Sequence, residues 1–330
     1  MVALPNWRRP RLLVAGDGAK ERWAHSAFYP AFHLPGHVLR TMLRIRAAAW
    51  AVGLPATVRP DGQDLAAFVG DLFPYARVTA ALVGNPGPME RITAEIRAPD
   101  GTIVAYAKHA VGHAAISRLV RELEMLVALP SGIGPELLRH APLDRGLVAV
   151  LRPVRGRRCG ATLPPPPGIF EFLGSLTGSV AHWPEEHPWL RATREVNDIV
   201  VARAVKALQG RPWPMAVLHG DLAPWNVIDT GAGLQCVDWE FGTVQGFPHI
   251  DVAYYMLQVA ALVYRLPPRL GAWYARRVLT VGRPGLLHSE AAAVVRLAAL
   301  HGFHENDVDG VDRNAKLQRW RRAVYDGDEA

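Results

Sequence analysis

The chain has 330 residues and a mass of 36.1 kDa, half of it hydrophobic and 20% charged. That is too long for one core and too apolar for a disordered chain, so two lobes are expected. The formal charge is +7, and residues 1–60 carry all of it: Arg8, Arg9, Arg11, Lys20, Arg22, Arg40, Arg44, Arg46 and Arg59 stand against Asp17 and Glu21. The remainder is charge-neutral and shows no basic stripe interleaved with aromatics, so no nucleic-acid partner is expected of the body. Cys159 and Cys236 cannot make a disulfide framework. No apolar run is long enough to span a bilayer, and the start lacks the apolar stretch of a secretory signal. A cytoplasmic protein is expected.

Residues 1–76, rich in Arg, Ala and Pro, read as a basic N-terminal extension. Its clearest helix runs from about His37 to Val52, with His37, Arg40 and Arg44 on one face and Val38, Met42 and Leu43 away from it. The pattern favours a helix packed on the main domain with solvated arginines. Peripheral contact with a membrane or an anionic partner through residues 1–60 is the alternative.

From Arg77 to Lys108 the pattern turns to strands. Val78–Val83 leads into the turn cluster Gly84-Asn85-Pro86-Gly87-Pro88, Arg91–Arg97 alternates with period two, and Thr102–Lys108 returns after Pro99-Asp100-Gly101. An amphipathic helix follows over Ala114–Leu129, then a short buried-type strand over Leu147–Leu151. Residues 169–209 read as helical, Val217–Val237 as two short apolar strands around a polar motif, and 252–330 as largely helical. The expected class is α+β, with a small antiparallel lobe over 77–151 and a larger helical lobe over 152–330.

The densest chemical signal is His219-Gly220-Asp221-Leu222-Ala223-Pro224-Trp225-Asn226, followed by Asp238-Trp239-Glu240. An Asp and an Asn five apart in a loop, then an Asp after a short strand, suit metal-assisted phosphoryl transfer. One carboxylate accepts the proton of an attacking hydroxyl; the amide oxygen and the second carboxylate are hard ligands for Mg²⁺. Pro224 argues for a loop here and against a helix.

These motifs resemble the aminoglycoside phosphotransferase and choline kinase superfamily, relatives of protein kinases. His219-Gly220-Asp221 stands where protein kinases carry His-Arg-Asp, and Asp238-Trp239-Glu240 where they carry Asp-Phe-Gly. Gly246-Phe247-Pro248-His249-Ile250-Asp251 matches the next family element. The resemblance covers roughly residues 77–265 and implies a bilobal protein-kinase-like fold. It implies Asp221 as catalytic base and Asn226 with Asp238 as magnesium ligands. It further implies that Lys108 holds the α- and β-phosphates and that Glu122 pairs with Lys108 in preference to Glu124. Gly84 and Gly87 would belong to the loop covering the phosphates, and Arg152 and Val154 to the hinge that meets adenine. Asp251 would brace the catalytic loop.

The resemblance therefore implies a kinase using ATP, with GTP left open, and Mg²⁺, acting on a small-molecule hydroxyl. A sugar or saccharide metabolite and an aminoglycoside are the two acceptor classes, and the form of the motif resembles members associated with cell-surface saccharide pathways. The loop at 84–88 departs from Gly-x-Gly-x-x-Gly and carries two prolines. Its stiffness supports the alternative of a nucleotide-binding pseudokinase acting as scaffold or regulator.

Overall fold

The computed structural model describes residues 2–4, 11–29, 34–49, 62–84, 87–282, 284–308 and 315–327. Asn85 and Pro86 of the phosphate-loop expectation, residues 50–52 of the N-terminal helix expectation, and Arg8, Arg9 and Arg59 lie outside the described residues. The chain divides into two units, Met1–Leu123 with Pro135–Pro153, and Glu124–Gly134 with Val154–Ala330.

The first unit is built on a seven-stranded sheet with neighbours in the order β1-β2-β3-β4-β5-β7-β6. Its strands are β1 (Val2–Leu4), β2 (Leu12–Val14), β3 (Arg77–Val83), β4 (Arg91–Arg97), β5 (Ile103–Ala110), β6 (Leu137–Pro142) and β7 (Leu147–Leu151), and every pairing is antiparallel. Helices α1 (Ala19–His25), α2 (Leu34–Ala49) and α3 (Gly62–Leu72) lie between β2 and β3 in sequence, and α4 (His113–Ala128) follows β5. The alternation in β4 puts Ile92, Ala94 and Ile96 into a core with Leu65 and Val69 of α3 and with Val148 and Val150 of β7. On the other parity, Leu4, Leu12, Val14 and Ala80 pack with Leu43 and Ala47 of α2.

The segment read as an extension therefore supplies two strands and two packed helices, α2 and α3, to the sheet. Leu12, Leu13 and Val14 form an unbroken apolar run because the strand is covered on both faces, the reason such a strand shows no alternation. Glu95 is buried in β4, where it accepts from Arg97 Nε at 2.7 Å and from Thr79 Oγ1 at 3.2 Å.

The second unit is mainly helical: α5 (Pro167–Ser175), α6 (Pro188–Arg194), α7 (Ile199–Ala207), α8 (Ile250–Gln258), α9 (Pro268–Val281), α10 (His288–Val308) and α11 (Ala315–Asp326). Two small antiparallel sheets cross it. One runs β13 (Thr243–Gly246), β10 (Trp213–Leu218), β9 (Thr177–His182); the other runs β12 (Leu234–Cys236), β11 (Val227–Asp229), β8 (Arg157–Arg158). The strand β9 interrupts the stretch expected to be helical from 169 to 209. It is a polar, mostly exposed edge strand fixed by pairing with β10, and so leaves no apolar period to read. Residues 259–263 continue α8 as a π-helical turn. The α+β class, and the order of a sheet unit followed by a helical unit, agree with the sequence expectation. No helix among the described residues is long and apolar enough to cross a membrane.

Candidate active site

In the second unit, β10 delivers the chain to His219 and a short 3-10 turn closes at Asn226. Gly220 has φ +80, and a Cβ there would lie 2.3 Å from the Phe241 carbonyl oxygen, so the turn admits only glycine. Asp251, in the first turn of α8, braces the loop. Its Oδ2 accepts from the His219 N–H at 2.6 Å and its Oδ1 from the Gly220 N–H at 3.0 Å. Burial pushes the Asp251 carboxyl above its usual range, partly offset by His219 and by these two N–H groups.

His219 is structural in the same sense. Its Nδ1 accepts the Asp221 N–H at 3.2 Å, which fixes the proton on Nε2, and that N–H donates to the Val237 carbonyl at 2.9 Å. The Val237 N–H donates in turn to the Asn226 carbonyl at 2.9 Å. Val237 thus clamps both ends of the loop, and the next residue, Asp238, leaves the clamp at φ +64 in the left-handed region. These links bring Asp221, Asn226 and Asp238 into one cluster, although Asp238 is remote in sequence from the loop.

Asp221 is the most elaborately held side chain. Its Oδ1 accepts from Tyr254 Oη at 2.9 Å and from Gln258 Nε2 at 3.3 Å, both on α8. The Asn226 amide nitrogen donates to the Asp221 backbone carbonyl at 3.0 Å and lies 3.4 Å from Oδ2. Tyr254 Oη accepts from Arg321 Nη2 of α11 at 2.7 Å, while Arg321 Nη1 donates to the Gly302 carbonyl. Desolvation pushes the Asp221 carboxyl up to about 6; the Tyr254 hydrogen bond and the Arg321 charge oppose this, and Glu240 and Asp238 add to it. Such a group is ionised at neutral pH yet basic enough to take a proton.

Among the described residues no three His, Cys, Asp or Glu side chains converge as a metal cage. The donor set nevertheless fits Mg²⁺. The Asn226 amide nitrogen is committed to Asp221, which leaves Oδ1 as its ligating atom, and Asp238 adds a carboxylate. Mg²⁺ commonly takes one or two carboxylates and completes its shell with phosphate and water.

In the first unit, Lys108 on β5 donates to Glu122 Oε1 at 2.7 Å and Oε2 at 2.8 Å. Glu122 is 2% exposed and Lys108 20%, so the pair is largely desolvated. Gly84 and Gly87 lie between β3 and β4. The Gly84 N–H donates to the Arg91 carbonyl at 2.8 Å, and the Glu90 N–H donates to the Gly87 carbonyl at 2.9 Å. The Arg152 Nε donates to Glu136 Oε2 at 2.6 Å on an exposed surface. Val154 is partly buried coil that opens the second unit.

The sequence reading missed Tyr254, Gln258 and Arg321. Asp251, Tyr254 and Gln258 stand at i, i+3 and i+7, a polar line on an otherwise apolar helix and a signal that was there to find. Arg321 shares its buried face with Val324 and Tyr325.

No family model matches the chain, and no curated protein matches its sequence. In structure the chain is similar to aminoglycoside phosphotransferases and to an ethanolamine kinase. An ADP-bound aminoglycoside phosphotransferase of type APH(2'')-Ib matches at TM-score 0.42 and 12% identity, over 80% of this chain and 99% of that one. An aminoglycoside-3'-phosphotransferase of type VIII matches at TM-score 0.41 and 21% identity, over 80% and 97%. The Plasmodium vivax ethanolamine kinase matches at TM-score 0.48 and 10% identity, over 76% and 82%. The functional reading is carried by the site's own geometry.

Proposed function

We propose that this protein is an ATP- and Mg²⁺-dependent O-phosphotransferase acting on a hydroxyl of a small molecule, a sugar or saccharide metabolite or an aminoglycoside. The observation that carries this reading is the state of Asp221. One oxygen is held by Tyr254 and Gln258, the carboxyl is pushed up to about 6, and the oxygen donors of Asn226 and Asp238 belong to the same clamped cluster.

In this reading Asp221 orients the acceptor hydroxyl and takes its proton on Oδ2 as the bond from that oxygen to the γ-phosphorus forms and the bond from the γ-phosphorus to the bridging oxygen breaks, with ADP as the leaving group. Asn226 and Asp238 hold Mg²⁺, which when bound neutralises the charge of the phosphates. Lys108, kept straight by Glu122, meets the α- and β-phosphates. Little covalent chemistry is asked of the protein, so positioning and charge account for most of the rate.

The test is nucleotide turnover with Mg²⁺ against a panel of aminoglycosides, sugars, choline-like amines and nucleosides. Acceptor-dependent ADP release is expected, with Asp221→Asn lowering it by roughly a hundredfold to ten-thousandfold, the range of a lost general base. Nucleotide binding with no turnover on any acceptor would favour a pseudokinase scaffold. Absence of nucleotide binding would sink the kinase reading.

A further inference from the structure

A cavity of about 180 Å³ lies in the second unit among α5, β10 and the start of α8. Its wall is mostly apolar, with Phe170 and Leu173 from α5, Val217 from β10 and Phe247 just ahead of α8. Solvent reaches it: Gly174 also lines it and is exposed, and a Cβ there would meet nothing within 4 Å. An apolar cavity of about 150 Å³ is enough to hold benzene. The space therefore admits one six-membered ring with a small substituent.

Thr177, Asp251 and His249 are the polar side chains of the wall. The Thr177 hydroxyl donates to the Leu173 carbonyl at 3.0 Å, and the two Asp251 oxygens accept from the His219 and Gly220 N–H groups. His249 is left over. Its ring meets Trp213 edge-on, with centroids 6.3 Å apart, and among the described residues neither ring nitrogen has a hydrogen-bond partner. Its backbone is held at φ +68, a left-handed conformation of the kind that recurs at ligand clamps. The fold draws no side-chain hydrogen bond from this imidazole to offset that conformation.

The chemistry of the wall selects the occupant. Burial and the nearby Arg211 charge keep the His249 imidazole neutral at pH 7, so it offers one donor and one acceptor. No Lys or Arg lines the cavity, and an anion would lie against the Asp251 carboxylate. An ammonium would be desolvated with little more than one imidazole nitrogen to accept from it. A neutral ring with a single polar group satisfies both the apolar wall and the imidazole.

We propose that this cavity binds a neutral single-ring aromatic molecule bearing one hydroxyl or ring N–H, with the ring against Phe170, Leu173, Val217 and Phe247 and the polar group on His249. Asp221, Asn226 and Asp238 do not line the cavity, and the inference stands whether or not the chain is a kinase.

The test is a ligand-observed NMR titration of the full chain with phenol, toluene and benzoate. Phenol and toluene should bind, and benzoate at least about tenfold more weakly than phenol. His249→Phe keeps a ring and removes both nitrogens, so the preference for phenol over toluene should fall about fivefold, the signature of one lost hydrogen bond. His249→Gly, which suits the left-handed backbone, gives the same ratio should the Phe variant melt early. Gly174→Leu with Val217→Phe fills the cavity and should abolish binding of both molecules; Gly174→Leu alone replaces the pair if the pair melts early. Phenol packed beside Asp251 should also slow amide exchange at His219 and Gly220, about tenfold at ten times its Kd.

The proposal is overturned by no phenol binding, by benzoate binding as tightly as phenol, or by a phenol preference indifferent to loss of the imidazole. Binding that survives the filling substitutions, or that leaves exchange at His219 and Gly220 unchanged, would place the ligand elsewhere and overturn it equally.

Discussion

Asp221, the proposed base, is held in its site at the expense of the fold. Its folded carboxyl titrates at about 6 against the usual 3.8, so between those values the native state binds more protons than the unfolded chain. The stability this carboxyl contributes is fully present below 3.8 and is lost as pH rises through about 6, on the order of 2 kcal/mol at neutral pH. Asp221→Asn keeps the shape and removes the charge. The inactive variant should therefore unfold at higher denaturant than the native protein at pH 7, and the difference should close by about pH 4; urea midpoints at the two pH values decide it. The Lys108–Glu122 pair behaves in the opposite way. Replacing Lys108 by Met takes the Nζ donor away from the buried Glu122 carboxylate, a change worth about 3–5 kcal/mol. The double variant Lys108→Met, Glu122→Met should recover most of that loss, which a thermodynamic cycle would show.

At the scale of elements, the start of α8 ties stability to acid. His249 precedes the helix at φ +68, a conformation that Asn tolerates better than most residues. Burial, helped by the Arg211 charge, pushes its imidazole down to about 4 from the usual 6.5. The unfolded chain binds the extra proton between those values, so stability present above 6.5 is lost as pH falls through about 4. The loss is on the order of 2–3 kcal/mol. His249→Asn should flatten this acid limb, with little change at pH 7, as read from melts at pH 7 and pH 5. Asp251 and Tyr254 lie on the same helix, so acid acting at His249 should loosen the element that supports the Asp221 loop.

Legibility also divides by element. The Asp221 motif was readable because most of its chemistry is written in consecutive residues, and Glu122 was chosen over Glu124 through the family resemblance, a pairing with Lys108 that the structure contains. Strand β9 was not, because an edge strand fixed by pairing need show no apolar period. Arg321 was not, because α11 also carries Arg319 and Arg322, and composition does not say which of the three turns inward. Its role depends on packing against Tyr254, far away in sequence.

At the scale of the whole molecule, the first sixty residues changed meaning most. Composition marked them as an appendage, because arginine and alanine mask the short apolar runs that join the sheet. The structure seats Leu4, Leu12 and Val14 fully buried against Ala80 and α2. Removing residues 1–16 should therefore uncover the β3 edge and destabilise the first unit. The expected readout is an earlier melt and faster proteolysis within residues 77–110, whereas loss of a true appendage would change neither.

The pairing of Leu12 with Leu82 carries a consequence for how the chain is made. On the ribosome the β2 segment emerges well before its partner exists, and three helices are synthesised in between. It can pair with β1, made just before it, but its other edge must wait until β3 clears the exit tunnel and closes that long loop. Synonymous codons that slow translation between α3 and β3 would lengthen the wait, so the yield of folded protein should depend on the pace of synthesis there and not at the C-terminal helices.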